Sequence, residues 1–110
     1  MKKREYGKAG ELLWGTIAET AKAFHLQYYR MPIDSHNDIR KFLDSLYSIY
    51  KKKELREWKR SADNLHVNFY ESYLDEPTFM EEYTNGVKLL AFLSGLLRKT
   101  RKETKSRHLT

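Results

Sequence analysis

EYGKAGELLWGTIAETAKAFHLQYY, residues 5–29, decides the fold. Tyr6, Ala9, Leu13, Ile17, Thr20, Phe24 and Tyr28 recur at intervals of three and four, the apolar stripe of an amphipathic helix. Trp14, Ala18, Ala21 and Tyr29 lie beside that stripe and widen the face until it suits two neighbours, as in a helix bundle. Met31-Pro32-Ile33-Asp34 ends the segment, because the residue before a proline is pushed out of the α region.

Three further segments follow. Ser35-His36-Asn37-Asp38 has the form of a capping box and opens a second helix with the stripe Ile39, Phe42, Leu43, Leu46, Ile49 and Tyr50. Lys51-Lys52-Lys53 suits the negative end of a helix dipole and marks the next turn. The third helix carries Leu55, Trp58, Ala62, Leu65, Phe69 and Tyr73 on one face. Leu74-Asp75-Glu76-Pro77 closes it and starts the fourth, with Asp75 or Glu76 near the cap and Pro77 in the first turn.

In the fourth helix Phe79, Met80, Tyr83, Val87, Leu90, Ser94 and Leu97 form one stripe, and Leu89, Phe92, Leu93 and Leu96 cover most of the rest. A helix apolar nearly all round is either central or buried between subunits. In so small a chain the second is expected, giving a homodimer through the fourth helix. The fold class expected is all-α, an up-and-down antiparallel four-helix bundle over residues 4–98, with a basic, disordered tail at 99–110.

Composition agrees with one folded domain of 110 residues: 40% hydrophobic, 33% charged, and only two Pro and five Gly to build turns. No cysteine is present, which removes disulfides, thiolate nucleophiles and Cys-based zinc sites. One Gln with abundant Lys and Glu hints at a thermophilic source. Lys2-Lys3-Arg4 is followed by Glu5-Tyr6-Gly7-Lys8 rather than an apolar run, and Leu89 to Leu97 is far shorter than the roughly 20 residues of a membrane span. A cytoplasmic protein without membrane association is expected. The net charge of +6 is concentrated at the end: residues 98–110 hold six basic residues and one acidic, Glu103. Such an end either attracts phosphate or is simply solvated.

No two histidines stand three or four apart, and no glycine-rich phosphate loop occurs, so neither a metal nor a cofactor is expected. His66 is the residue to examine. Asp63 three before it and Tyr70 four after share its helix face. A carboxylate beside an imidazole orients it for general acid/base work, and the same pattern describes a boundary histidine bonded within a bundle. Arg60 stands six positions before His66, about 120° round and about 9 Å along a straight helix. The two converge on one phosphate only if the helix begins irregularly near Arg60 or a second chain brings them together. Otherwise Arg60 is a solvated surface residue. Glu11 and Lys22 flank the wide face of the first helix, where Glu11 awaits a partner from another helix or a ligand. Trp14 is a stacking platform for a base or a core residue.

Two stretches carry a family resemblance. Tyr6-Gly7-Lys8-Ala9-Gly10-Glu11-Leu12-Leu13-Trp14-Gly15, continuing to Ala18 and Lys22, resembles the first helix of archaeal PaREP-type proteins. Ala62-Asp63-Asn64-Leu65-His66-Val67-Asn68-Phe69-Tyr70-Glu71 resembles their central motif, and Ser35-His36 falls where that group often has a Ser-His pair. The resemblance spans roughly residues 5 to 97. This group is similar to the HEPN class of four- or five-helix bundles, which often dimerise. Some HEPN members are metal-independent ribonucleases, commonly toxins; others bind nucleotides or support a nucleotidyltransferase partner. Active members place a His about four to six residues after an Arg, often with a polar residue directly after the Arg. Arg60, Ser61 and His66 meet that spacing, with Ser61 in place of the more usual Asn, Asp or His. The resemblance thus implies a module directed at RNA or a nucleotide. His66 would be the acid/base and Arg60 the phosphate clamp, with Asp63, Asn68, Tyr70 and Glu71 shaping the site. The alternative is a non-catalytic dimeric helical interaction module.

Overall fold

The computed structural model describes the backbone of residues 3–71 and 74–109, and the side chains of residues 5–68 and 74–104. α1 covers Lys3–Tyr29, α2 His36–Tyr50, α3 Glu54–Glu71 and α4 Glu76–Leu109. No strand occurs among the described residues, and the four helices pack as the expected all-α four-helix bundle, although the α1–α2 pair departs from the expected up-and-down order. Each boundary has a local cause. α1 stops where Arg30 turns left-handed at φ 58° and its N–H closes on the Leu26 carbonyl at 3.0 Å. Ser35 caps α2, its hydroxyl accepting from the Asp38 N–H at 3.0 Å. Lys51, at φ 57°, ends α2 by donating to the Tyr47 carbonyl. Asp75 caps α4 through the Thr78 N–H at 2.9 Å, with Pro77 in the first turn, where its missing N–H costs nothing.

Pairs of contacts give the helix directions. Arg40 and Asp44 of α2 face Asp63 and Lys59 of α3, so those helices are antiparallel. Asn64 and Ser61 of α3 meet Glu82 and Asn85 of α4, antiparallel again. The first connection is not a tight hairpin. Trp14 touches His36, Phe24 touches Phe42, and Tyr6 and Gln27 of α1 meet Phe79 and Thr104 of α4. α1, α2 and α4 therefore run one way and α3 the other. Residues 30–35, extended around Pro32, reach about 20 Å and carry the chain back along α1. His25 Nδ1 pins this return to the Met31 carbonyl at 2.6 Å, and Lys22 holds Asp34 at 3.8 Å.

Ile17, Ala21 and Phe24 of α1, Ile39 and Leu46 of α2, Leu55, Ala62 and Leu65 of α3, and Phe79, Leu89 and Leu93 of α4 are essentially sealed from water. Each large member contributes about 1.5–3 kcal/mol by leaving water. Leu65 sits where three helices converge. A Cβ on Gly10 of α1 would lie 3.2 Å from its Cδ2, and one on Gly86 of α4 would lie 3.2 Å from its Cδ1. The absent side chains let both helices approach Leu65, which fixes the height of the adjacent His66.

α4 differs from expectation in what covers its apolar face and in where it ends. It packs on both α1 and α3 of its own chain, so a central position accounts for Leu89 and Leu93, and partly for Leu90, Phe92, Leu96 and Leu97. Its apolar girth thus does not require a second subunit. The basic stretch is also not a loose tail from residue 99: α4 continues to Leu109. No Gly or Pro follows Gly95, basic side chains suit a helix C-terminus, and Thr100 is buried. Gln27 donates to the Thr104 hydroxyl at 3.2 Å and ties this last part to α1. The described residues extend 53 Å along the long axis, close to the rise of 34 helical residues.

Candidate functional site

His66 leaves α3 at the edge of the core, beside the Leu65 contact, and meets α1 and α2 there. Its Nδ1 lies 2.8 Å from Glu11 Oε2. A carboxylate only accepts, so Nδ1 carries the proton and Nε2 is the basic nitrogen of the neutral ring. The imidazole stacks on Trp14, with centroids 4.3 Å apart and planes 22° apart. His36, the first residue of α2, meets both rings edge-on, at 4.8 Å from Trp14 and 5.3 Å from His66. The side chains of His66 and Glu11 are 21% and 28% exposed, so water and small solutes reach the pair. Three helices thus set one imidazole between a carboxylate, an indole and a second imidazole.

Glu11 receives its partner from α3, and the carboxylate on His66 Nδ1 is Glu11 rather than Asp63. Asp63 is held instead by Lys59 at 2.6 Å and Arg40 at 3.9 Å. Burial pulls the Lys59 ammonium down, but Asp63 and Asp44 outweigh it and leave the group above its ordinary value of 10.5.

Other expected site residues stand elsewhere. α3 is regular from Glu54, so no irregular start brings Arg60 to His66; Arg60 is exposed, and the two do not converge within one chain. Ser61, its neighbour, points into the core and accepts from Asn85 Nδ2 at 3.0 Å. Trp14 is buried, with His66 against its face, and offers no open platform to a base. Asn68 is buried as well, its carbonyl accepting from the Leu74 N–H at 2.9 Å, so it anchors the α3–α4 turn instead of lining a site. Lys22 sits with Glu19 at 3.0 Å and with Asp34 of the return loop; the Glu19 hydrogen bond holds it above its ordinary value. Tyr70 and Glu71 lie outside the described side chains.

Arg40 of α2 also reaches this corner. It stands four residues after His36 on the same face of α2 and is half exposed, and through Asp63 it is the guanidinium tied to this corner of α3. The i,i+4 spacing from His36 was the available signal, but only the α2–α3 pairing gives it meaning. No group of three His, Asp or Glu among the described residues could hold a metal ion, and no helix there is long and apolar enough to cross a membrane. In comparison with known proteins, the chain matches no family model, no curated protein and no solved structure.

Proposed function

We propose that this chain is a HEPN-like helical module directed at nucleic acid or nucleotides, and that its chemistry is metal-independent cleavage of RNA at His66. The supporting observation is the 2.8 Å contact between His66 Nδ1 and Glu11 Oε2 in a water-accessible corner. Glu11 fixes the tautomer, and Nε2 takes the proton of an RNA 2′-hydroxyl. The 2′-oxygen attacks the adjacent phosphorus and the bond to the 5′-oxygen breaks. The products are a 2′,3′-cyclic phosphate and a 5′-hydroxyl, which receives its proton from the imidazolium of His66 or His36. Arg40 replaces Arg60 as the cation that faces the phosphate. RNA as substrate fits a cytoplasmic protein, and a nucleotidyltransferase is the partner that the resemblance adds.

The test is cleavage of labelled RNA in EDTA. Wild type cuts, and His66→Ala, shown to be folded by circular dichroism, does not. Cleavage retained by folded His66→Ala overturns the assignment.

A second reading is favoured by Arg60 standing away from His66 and by Trp14 filling the space beside the ring. Here the chain is a non-catalytic dimeric interaction module, and the Met80 and Val87 side chains left exposed on α4 belong to the contact between copies. His66→Ala then lowers the melting temperature with no activity to lose, and Val87→Lys dissociates the dimer in sedimentation.

A further inference from the structure

At the other end of α1, fourteen positions and about 21 Å from Trp14, the chain exposes a group of tyrosines. Tyr28 is 55% exposed, Tyr29 43% and Tyr50 37%. Each ring is braced by another aromatic ring. Tyr28 stacks on the buried Phe24 at 5.4 Å, Tyr29 meets Tyr28 edge-on at 4.9 Å, and Tyr50 meets Phe92 edge-on at 5.5 Å. Two hollows open here. One of about 180 Å³ lies between Tyr28, Tyr50, Leu96 and Lys99. The other, of about 300 Å³, lies between Tyr28, Gln27, Arg30 and Thr104. Both share Thr100 and Glu103. Their size suits a base or a nucleotide and is too small for a folded partner.

The rim is cationic. Arg30 and Lys99 line the hollows, and Arg98, Arg101 and Lys102 line a further hollow on the same part of α4. Lys51 follows Tyr50 directly. Arg30 and Lys51 are the non-glycine residues at positive φ among those described, each ending a helix where glycine is the unstrained choice. A left-handed residue with a side chain costs about 1–2 kcal/mol. Two long cations therefore stand beside the tyrosines at positions that glycine would fill with less strain.

We infer that this end of the bundle binds single-stranded nucleic acid, with bases on Tyr28, Tyr29 and Tyr50 and phosphates on the Arg30, Lys51 and Lys99 rim. Open tyrosine faces stack on bases of any sequence, and a basic rim tracks the backbone. A duplex keeps its bases stacked on one another and leaves the rings idle, and an acidic peptide uses only the rim. Glu103 opposes phosphate inside the hollows and accepts from the amino groups of a base edge, so the hollows take bases and the rim takes phosphates. The site shares a ligand class with the His66 reading and uses none of its residues.

Fluorescence anisotropy with a labelled single-stranded oligonucleotide tests the inference. The single strand binds at least about ten-fold tighter than a duplex of the same sequence, and Tyr28→Ala loses about ten-fold. Arg30→Gln with Lys99→Gln flattens the dependence of log affinity on log salt by about 0.7 per phosphate contact removed. In Tyr28→Trp the strand still binds and quenches the added indole. His66→Ala binds like wild type, so loss of cleavage and loss of this site are separate results. Unchanged affinity in Tyr28→Ala, equal binding of duplex, competition by polyglutamate at the same charge concentration, or an unquenched Tyr28→Trp each overturns it.

Discussion

Glu11 and His66, fifty-five residues apart, join α1 to α3 through one 2.8 Å contact, and a carboxylate and an amide at position 11 differ in what they do there. Glu11→Gln keeps an oxygen that accepts from Nδ1 but removes the charge that steadies an imidazolium. RNA cleavage is expected to fall about a hundred-fold, within the usual range for general acid/base groups. Thermal melting should move less than in Glu11→Ala, which removes the contact altogether. Cleavage at the wild-type rate in Glu11→Gln is the result that detaches Glu11 from the chemistry.

The buried Ser61–Asn85 hydrogen bond sets α3 against α4. Asn85→Ala strands the Ser61 hydroxyl and should cost about 1–3 kcal/mol in urea unfolding. Ser61→Ala combined with Asn85→Leu removes both polar groups and should recover most of that loss. A double-mutant cycle with no coupling would show that the bond contributes nothing specific.

Lys59 lies between Asp44 at 3.0 Å and Asp63 at 2.6 Å. Lys59→Met is expected to cost about 1–2 kcal/mol near neutral pH. The folded ammonium sits above its ordinary 10.5, so its contribution is fully present below that value and is lost as pH rises through the folded value. The gap between wild type and Lys59→Met should therefore be constant up to about pH 10 and shrink above it. A gap that widens with alkalinity contradicts the ion-pair account.

Two helical glycines should respond oppositely to alanine. Nothing lies within 4 Å of a Cβ built on Gly15, so Gly15→Ala gains helix propensity, up to about 1 kcal/mol. A Cβ on Gly86 would come within 2.9 Å of Leu13 Cδ2 and 3.2 Å of Leu65 Cδ1, both in the packed core. Overpacking there costs about 1–3 kcal/mol and outweighs the propensity gain. Chemical denaturation of the two variants should place them on either side of wild type.

Periodicity located the helices because each buries one side in the same core; Ile17, Leu46, Leu65 and Phe79 all fall on stripes readable from spacing. Ser35 and Asp75 were legible as caps because their partners lie three residues away. Direction was not legible: a six-residue connection permits either a turn or a return along α1, and only packing chooses. The site was readable in the same partial way. His66 stood out through its neighbours on one helix, yet its Nδ1 partner comes from another, and Asp63 goes to Lys59 because an ammonium four residues earlier reaches it first. Trp14 and Asn68 looked available because a sequence does not show which side of a helix is covered.

The parallel course of α1 and α4 places residue 5 and residue 104 at opposite poles of a body 53 Å long. Rejoining these ends in a circular permutant would take a linker of about 15 extended residues. A protein fused after α4 would project from the tyrosine pole, and one fused ahead of α1 from the pole nearest Phe79. Donor and acceptor dyes on the two ends would report bending of the long helix rather than breathing of the core.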